Sequence, residues 1–290
     1  MKRTFFTTVA LILLFHSHVS SQAPADTLWR HSLRVGLNFN QNAFNANWIG
    51  GGVNSISIGS LFNYVIQYEN DKSAWRNEFD LRYGIARNEN ESAKKTVDRL
   101  FIDSKYGYKL SDAWRMYSSL NFQTQFAPGY QYNEDGNREA KISNLMAPAY
   151  LTSSWGFEYQ PAEFFWMRIG PFSPRLTFVL DEDLQGNFGV DPGESVRYEW
   201  LAFQLVSELN RNLRENLNLR ARYEFFANYS EIALKRFDHR LEFVFTSSVT
   251  RLLNVNLGAI LLYDIDQIDG LQVSEALSVG LLYQISTLKE

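Results

Sequence analysis

Along most of the chain, apolar residues occupy every second position and polar residues fill the places between. In "AWRNEFDLRYGIA", Trp75, Asn77, Phe79, Leu81, Tyr83 and Ile85 share one face, while Arg76, Glu78, Asp80 and Arg82 share the other. The same alternation joins Leu100, Ile102, Tyr106 and Tyr108, then Trp114, Met116, Leu120, Phe122 and Phe126. It returns at Leu217, Leu219, Ala221, Tyr223 and Phe225, at Phe237, Leu241, Phe243 and Phe245, and in two closing runs, 253–263 and 277–285. No segment holds a 3.6-residue period for three turns. A period of two is the signature of strands, so the pattern predicts an all-β chain.

The runs number about twelve, roughly at 33–40, 53–68, 74–87, 98–110, 113–126, 149–160, 163–180, 195–209, 215–228, 235–249, 253–265 and 273–286. Many are twice the usual strand length. Their connections alternate. "ENDKS", "SD", "QPAE", "NRNLRE" and "TRL" are tight, whereas "NENESAKKT", the stretch 127–148, "DEDLQGNFGVDPGES" and "DIDQIDGLQ" are longer.

Alternation alone does not say which face is inside, because a soluble β-sandwich produces the same pattern with its apolar face buried. Three features favour a membrane barrel. Strands of this length suit a bilayer. Short and long connections alternate as periplasmic turns and outer loops do. Trp75, Tyr106, Trp114, Tyr223, Tyr263 and Tyr283 stand near strand ends, where interfacial girdles require them. The expected fold is a single antiparallel transmembrane β-barrel of about twelve strands over residues 33–290, with both termini periplasmic.

The N-terminus places Lys2 and Arg3 before an apolar run from Phe5 to Phe15 and small residues at Ser20, Ser21 and Ala23. This reads as a secretory signal peptide, 1–21, cleaved after Ser21 or Ala23, followed by a periplasmic segment at 22–32. Without Lys2 and Arg3, 26 basic residues face 32 acidic ones, which gives no basic face for a nucleic acid. The chain has no cysteine, so thiol catalysis, thiolate metal sites and disulfides are excluded. Aromatic residues make up 15% of it, and the expected location is the outer membrane of a bacterial envelope.

With the apolar face toward lipid, the opposite face lines the lumen. It offers Arg76, Glu78, Asp80, Arg82, Asp103, Lys105, Arg220, Arg222, Glu224, Asp238, Arg240 and Glu242. Mixed signs on long side chains either pair into a plug or leave a narrow channel. Of the two histidines past the signal, His31 precedes the first strand and His239 has the parity of the lipid face, opposite to Asp238. No catalytic constellation emerges, and neither an enzyme nor a cofactor is expected. Asp181, Asp183 and Gln185 resemble the opening of a calcium loop, but Pro192 stands where its bidentate glutamate belongs. They and the acids Asp264, Asp266 and Asp269 read as solvated loop residues. "WIGGGVNS" leads into a strand and not a helix, so it is no phosphate cradle. Trp48, Gly50, Gly51 and Gly52 are expected to form a rim turn, and Gly51→Val is expected to cost folding and not catalysis.

An ordered set of motifs carries a resemblance: Trp48-x-Gly-Gly-x-Val-Asn-Ser, Trp75-Arg-Asn, "DRLFIDSKYGY" at 98–108, "NFQTQFAPGYQY" at 121–132, "ISNLMAPAYL" at 142–151, "EYQP" at 158–161, "FGVDPGE" at 188–194, "FFANY" at 225–229 and "YDID" at 263–266. Together they resemble a family of Bacteroidetes exported proteins known only as a domain of unknown function. The resemblance runs from about Trp29 to Tyr283 and implies an outer-membrane β-barrel, with no known activity or ligand. One departure is the ending "YQISTLKE", which lacks the terminal aromatic that barrel-insertion machinery recognises and leaves Tyr283 and Ile285 to serve. The expected role is a narrow channel or solute-permeability protein with a mixed-charge lumen. The alternative is a non-conducting barrel that contacts an envelope partner through loop 127–148, where Tyr130, Tyr132 and Met146 are the contact candidates.

Overall fold

The computed structural model describes residues 28–43, 53–133, 136–231 and 236–288. The signal segment 1–21 and the rim turn of Trp48, Gly50, Gly51 and Gly52 lie outside the described residues. Alternating segments pair as β1 (Trp29–Asn42), β2 (Ser55–Glu69), β3 (Ser73–Asn88), β4 (Lys94–Lys109) and β5 (Trp114–Thr124). A small hairpin of β6 (Gly129–Tyr132) and β7 (Arg138–Ser143) leaves the wall before β8 (Ala149–Ala162) resumes it. The ladder continues through β9 (Phe165–Phe172), β10 (Arg175–Phe178), β11 (Val196–Glu199), β12 (Ala202–Arg214), β13 (Leu217–Asn228), β14 (Asp238–Ser248), β15 (Leu253–Asp264) and β16 (Ile268–Ser286).

Every pairing is antiparallel, and β16 closes on β1 from Ser32↔Ser286 to Asn38↔Gly280. The halves β9 and β10 share one place in the wall, between β8 and the pair β11 and β12, so twelve wall positions form a closed barrel. Pro174 splits the first of these pairs, because proline has no N–H for the ladder. Its carbonyl still accepts from Ser153 N at 3.0 Å, and Ser173 N donates to Ala202 O at 2.8 Å, so the wall stays bonded across the break. Closure matters because lipid offers no partner to an open backbone edge.

Exposure decides which face is inside. Glu158 is 1% exposed and Asp80 3%, whereas Leu277 is 68% exposed and Leu37 58%. A soluble sandwich has the reverse. Aromatic rings cluster near the terminus-side rim, with Trp29 5.2 Å from Tyr68 and Trp114 4.8 Å from Tyr159. Others pair nearer the opposite rim, as Tyr198 and Trp200 do at 5.8 Å. Two girdles with an apolar belt between them are what a bilayer-spanning barrel presents.

The strands run longer than the alternation predicts. β1 starts at Trp29 instead of 33, inside the segment expected to precede the barrel, and β4 and β16 start at Lys94 and Ile268, inside stretches expected to be loops. Backbone pairing does not need an apolar side chain, so hairpins continue as polar ribbons past the membrane. Outer connections therefore shrink to 89–93 and 265–267, while 125–148 and 179–195 remain long.

Candidate functional site

The lumen is built by register. Facing pairs on β3 and β4 set Arg76 opposite Lys105, Glu78 opposite Asp103 and Arg82 opposite Arg99. Like charges directly opposite repel, so each side chain finds its counter-ion along its own strand or across the barrel. Arg76 bonds Glu78 at 3.1 Å and Arg82 bonds Asp80 at 2.8 Å. Arg99 on β4 reaches Glu242 on β14 at 3.6 Å, and Arg220 on β13 approaches Glu78 on β3 at 3.9 Å. Neither pair of strands is adjacent in the wall, so these contacts cross the lumen.

A second knot centres on Glu158 of β8. Its carboxylate accepts from Lys105 Nζ at 2.5 Å and Arg168 Nε at 3.1 Å, and Arg168 also donates to Asp103 at 3.2 Å. A third joins Arg220 and Arg222 to Glu208 at 2.9 and 3.4 Å, with Arg222 bonding Glu224 at 2.7 Å and Arg240 bonding Glu242 at 2.6 Å. Asp238 stands apart nearer the outer mouth, where it accepts from Arg175 at 2.8 Å. Of the twelve residues on the polar face, eleven border the three spaces described below, and Asp103 is held beside them by Arg168. Their counter-ions Arg99, Glu158, Arg168, Arg175 and Glu208 were missed. The available signal was parity: Glu158 alternates with Phe157 and Tyr159, and Arg168 with Met167 and Ile169.

This waist divides the lumen. Among Glu78, Asp80, Arg99, Arg220, Arg222 and Glu242 only about 20 Å³ of space remains. On the side of the termini a vestibule of about 580 Å³ opens, lined by both charge signs. On the other side a chamber of about 90 Å³ lies among Tyr150, Arg175, Glu224, Asp238, Arg240 and Asp264.

Above that chamber the outer loops pack on each other. Ala147, Val179, Leu184 and Val190 are buried in a small apolar core flanked by Phe188. Lys141 of β7 clamps it, bonding Asp181 at 2.8 Å and Asp183 at 2.6 Å, while Asn144 donates to Asp181 at 2.6 Å. Arg197 pairs with Asp266, tying the cap to the β15–β16 hairpin. Tyr130 lies under the Arg138 guanidinium and Tyr132 beside Lys94, while Met146 accepts from Leu180 N at 3.0 Å. All three contact candidates are therefore half-buried at the rim. Three of the residues weighed for calcium are otherwise engaged: Asp181 caps a short turn, the Gln185 amide donates to Ser195 and Asp264 accepts from Gln267. Among the described residues no three acids or histidines converge on one point. His239 bonds Tyr223 at 2.9 Å on the lipid face, away from Asp238 in the lumen.

The clamp sets a pH dependence. Hydrogen bonds from Lys141, then Asn144, hold the Asp181 carboxyl below the usual aspartate range, and those to Asp181 and Asp183 hold Lys141 above the usual lysine range. Asp181 therefore stabilises the cap above its unfolded pKa and loses that effect as pH falls through its lower folded value. Lys141 stabilises it below its unfolded pKa and loses the effect as pH rises through its higher folded value. Proteolysis of loop 127–148 should stay flat from about pH 5 to about pH 9 and rise below the ordinary aspartate range and again above the ordinary lysine range. At neutral pH, Lys141→Ala should cleave about two- to threefold faster, because an exposed clamp is worth little more.

A family described as a protein of unknown function, DUF3078, matches residues 39–130. No curated protein matches the chain. Solved structures that align with it include an outer membrane channel from Pseudomonas putida F1, at 11% identity over 89% of this chain and 94% of that one, TM-score 0.41. The NanC porin aligns at 8% identity over 89% and 100%, TM-score 0.39. The translocator domain of the autotransporter NalP from Neisseria meningitidis aligns at 10% identity over 90% of each, TM-score 0.34. On its own geometry, with charges inside and an aromatic-edged apolar belt outside, the chain is a β-barrel of the outer-membrane kind, similar over residues 39–130 to an uncharacterised family.

Proposed function

We propose that this chain is an outer-membrane channel for small polar solutes, with conduction limited by the charged waist. The observation that carries this is the division of the lumen into two polar chambers on either side of a narrow, side-chain-built constriction. A waist made of ion pairs and not backbone opens by side-chain rearrangement, without breaking the wall. In this reading the chain is a Bacteroidetes envelope protein exported by residues 1–21, the barrel faces outer-membrane lipid, and no catalysis is involved.

A second reading, a non-conducting barrel that anchors outer loops for an envelope partner, draws support from the cross-lumen ion pairs and the packed cap of loop 127–148. Planar-bilayer recording of the purified barrel separates the two. The channel predicts discrete conductance steps that grow when residues 130–144 are deleted, since the cap narrows the outer mouth. A folded barrel that stays silent in both forms overturns the channel. Co-purification of a second protein in mild detergent, lost on the same deletion, supports the anchor.

A further inference from the structure

The vestibule contains a cation that the pairing leaves over. Of the basic residues lining it, Arg76, Lys105, Arg168 and Arg220 each hold a carboxylate, and Arg115 lies 3.8 Å from Glu158. The side chain of Arg34 on β1 makes no hydrogen bond or ion pair to any described residue, and its Nε is shielded from solvent without an acceptor, Glu78 and Asp80 reaching it only through longer-range attraction. Register explains this. The residues directly opposite Arg34 are Asn63 on β2 and Gln284 on β16, both neutral amides. Asn63 Nδ2 in turn donates to Glu78 at 3.0 Å and Asp80 at 3.2 Å, occupying the nearest carboxylates. Those acids also serve Arg76 and Arg82. Four residues earlier on the same face, the side chain of Arg30 also lacks a partner among the described residues and lines the same chamber.

A guanidinium without an acceptor is costly where water is scarce, and its fork of donors matches the two oxygens of a carboxylate or phosphate. Here it faces about 580 Å³ of space, ample for a small solute. The acids at the mouth, Asp112 and Glu163, are exposed, so solvent and salt screen them. We propose that the vestibule binds a small carboxylate or phosphate anion, with Arg34 as its principal ligand and Arg30 as a second cation toward the mouth. This names a solute class for the proposed channel and rests on that reading for transport, though not for binding.

The test is a titration of the folded barrel in detergent with inorganic phosphate, against sodium chloride of equal ionic strength. Intrinsic fluorescence is one readout, because Trp166 lines the vestibule, and heat-modifiable gel mobility is the other. A saturable phosphate response is expected, weakened about tenfold in Arg34→Gln, as loss of a charge-assisted hydrogen bond implies. Arg87→Gln, at the opposite end of β3, should bind as the parent does. Should Arg34→Gln not fold, Arg34→Lys keeps the charge without the fork and should bind several-fold more weakly. No saturable response in the folded parent, or an equal one in the folded Arg34 variants, overturns the site and leaves water as the partner of Arg34. Phosphate binding by a barrel that never conducts leaves the site standing and removes the channel. Conduction without a phosphate response does the opposite.

Discussion

Glu158→Ala is expected to destabilise the barrel by about 3–5 kcal/mol, the usual consequence of removing one partner from a buried ion pair. Glu158 is 1% exposed and receives two direct hydrogen bonds from cations, with Arg115 close behind. Its loss leaves Lys105 without any acceptor and Arg168 with Asp103 alone. Glu158→Gln should lose less, because the amide oxygen still accepts one bond. Converting Lys105 and Arg168 to methionine alongside Glu158→Leu should recover most of the stability, since apolar groups of like size leave nothing uncompensated. Urea titration in detergent, followed by gel mobility, measures each step. A Glu158→Ala barrel that unfolds at the parent's urea concentration would mean that water, not Glu158, neutralises those cations.

Gly156→Ala should cost more than about 3 kcal/mol and in practice abolish the folded band. Between Trp155 and Phe157 the pairing with β9 slips by a residue, which brings the Ile169 carbonyl under Gly156. A Cβ added there would overlap Ile169 O and sit 2.9 Å from Pro171 Cδ. The obstacle is backbone held by the neighbouring strand, so no side-chain rotation relieves it. Gly59→Ala provides the contrast. Its nearest neighbour would be Asn38 Cβ at 3.7 Å, an ordinary contact, and it should fold like the parent. Equal stability of the two variants would contradict the close approach of β8 and β9.

Local pattern made the wall legible. Parity assigns each side chain to a face wherever a strand is regular, which is why Arg76, Glu78, Asp80 and Arg82 on β3 and Arg220, Arg222 and Glu224 on β13 share one face and border the spaces of the barrel. It reads less well at the ends of strands. Lys94–Val97 and Ile268–Gln272 are polar or mixed, yet they pair, because a hairpin once formed extends through backbone bonds indifferent to side chains. The stretch 127–148 carries turn residues and two Ala-Pro steps, and nothing local foretells that it folds a β6–β7 hairpin or that Ala147 just beyond it shares a buried core with Val179 and Leu184.

The sequence by itself determined an all-β chain, about twelve strands and which residues share a face, because a period of two is a property of the backbone and needs no knowledge of neighbours. Only the tertiary structure decided who pairs with whom inside. Arg99 finds Glu242 and Arg220 approaches Glu78 because closure of the ring brings β4 opposite β14 and β3 opposite β13. Arg34 is left over for the complementary reason: the registers of β1 with β2 and β16 set amides beside it where a carboxylate would have neutralised it. Ion pairing falls off within a few ångströms, so it depends on distances in space, which alternation along a chain does not encode.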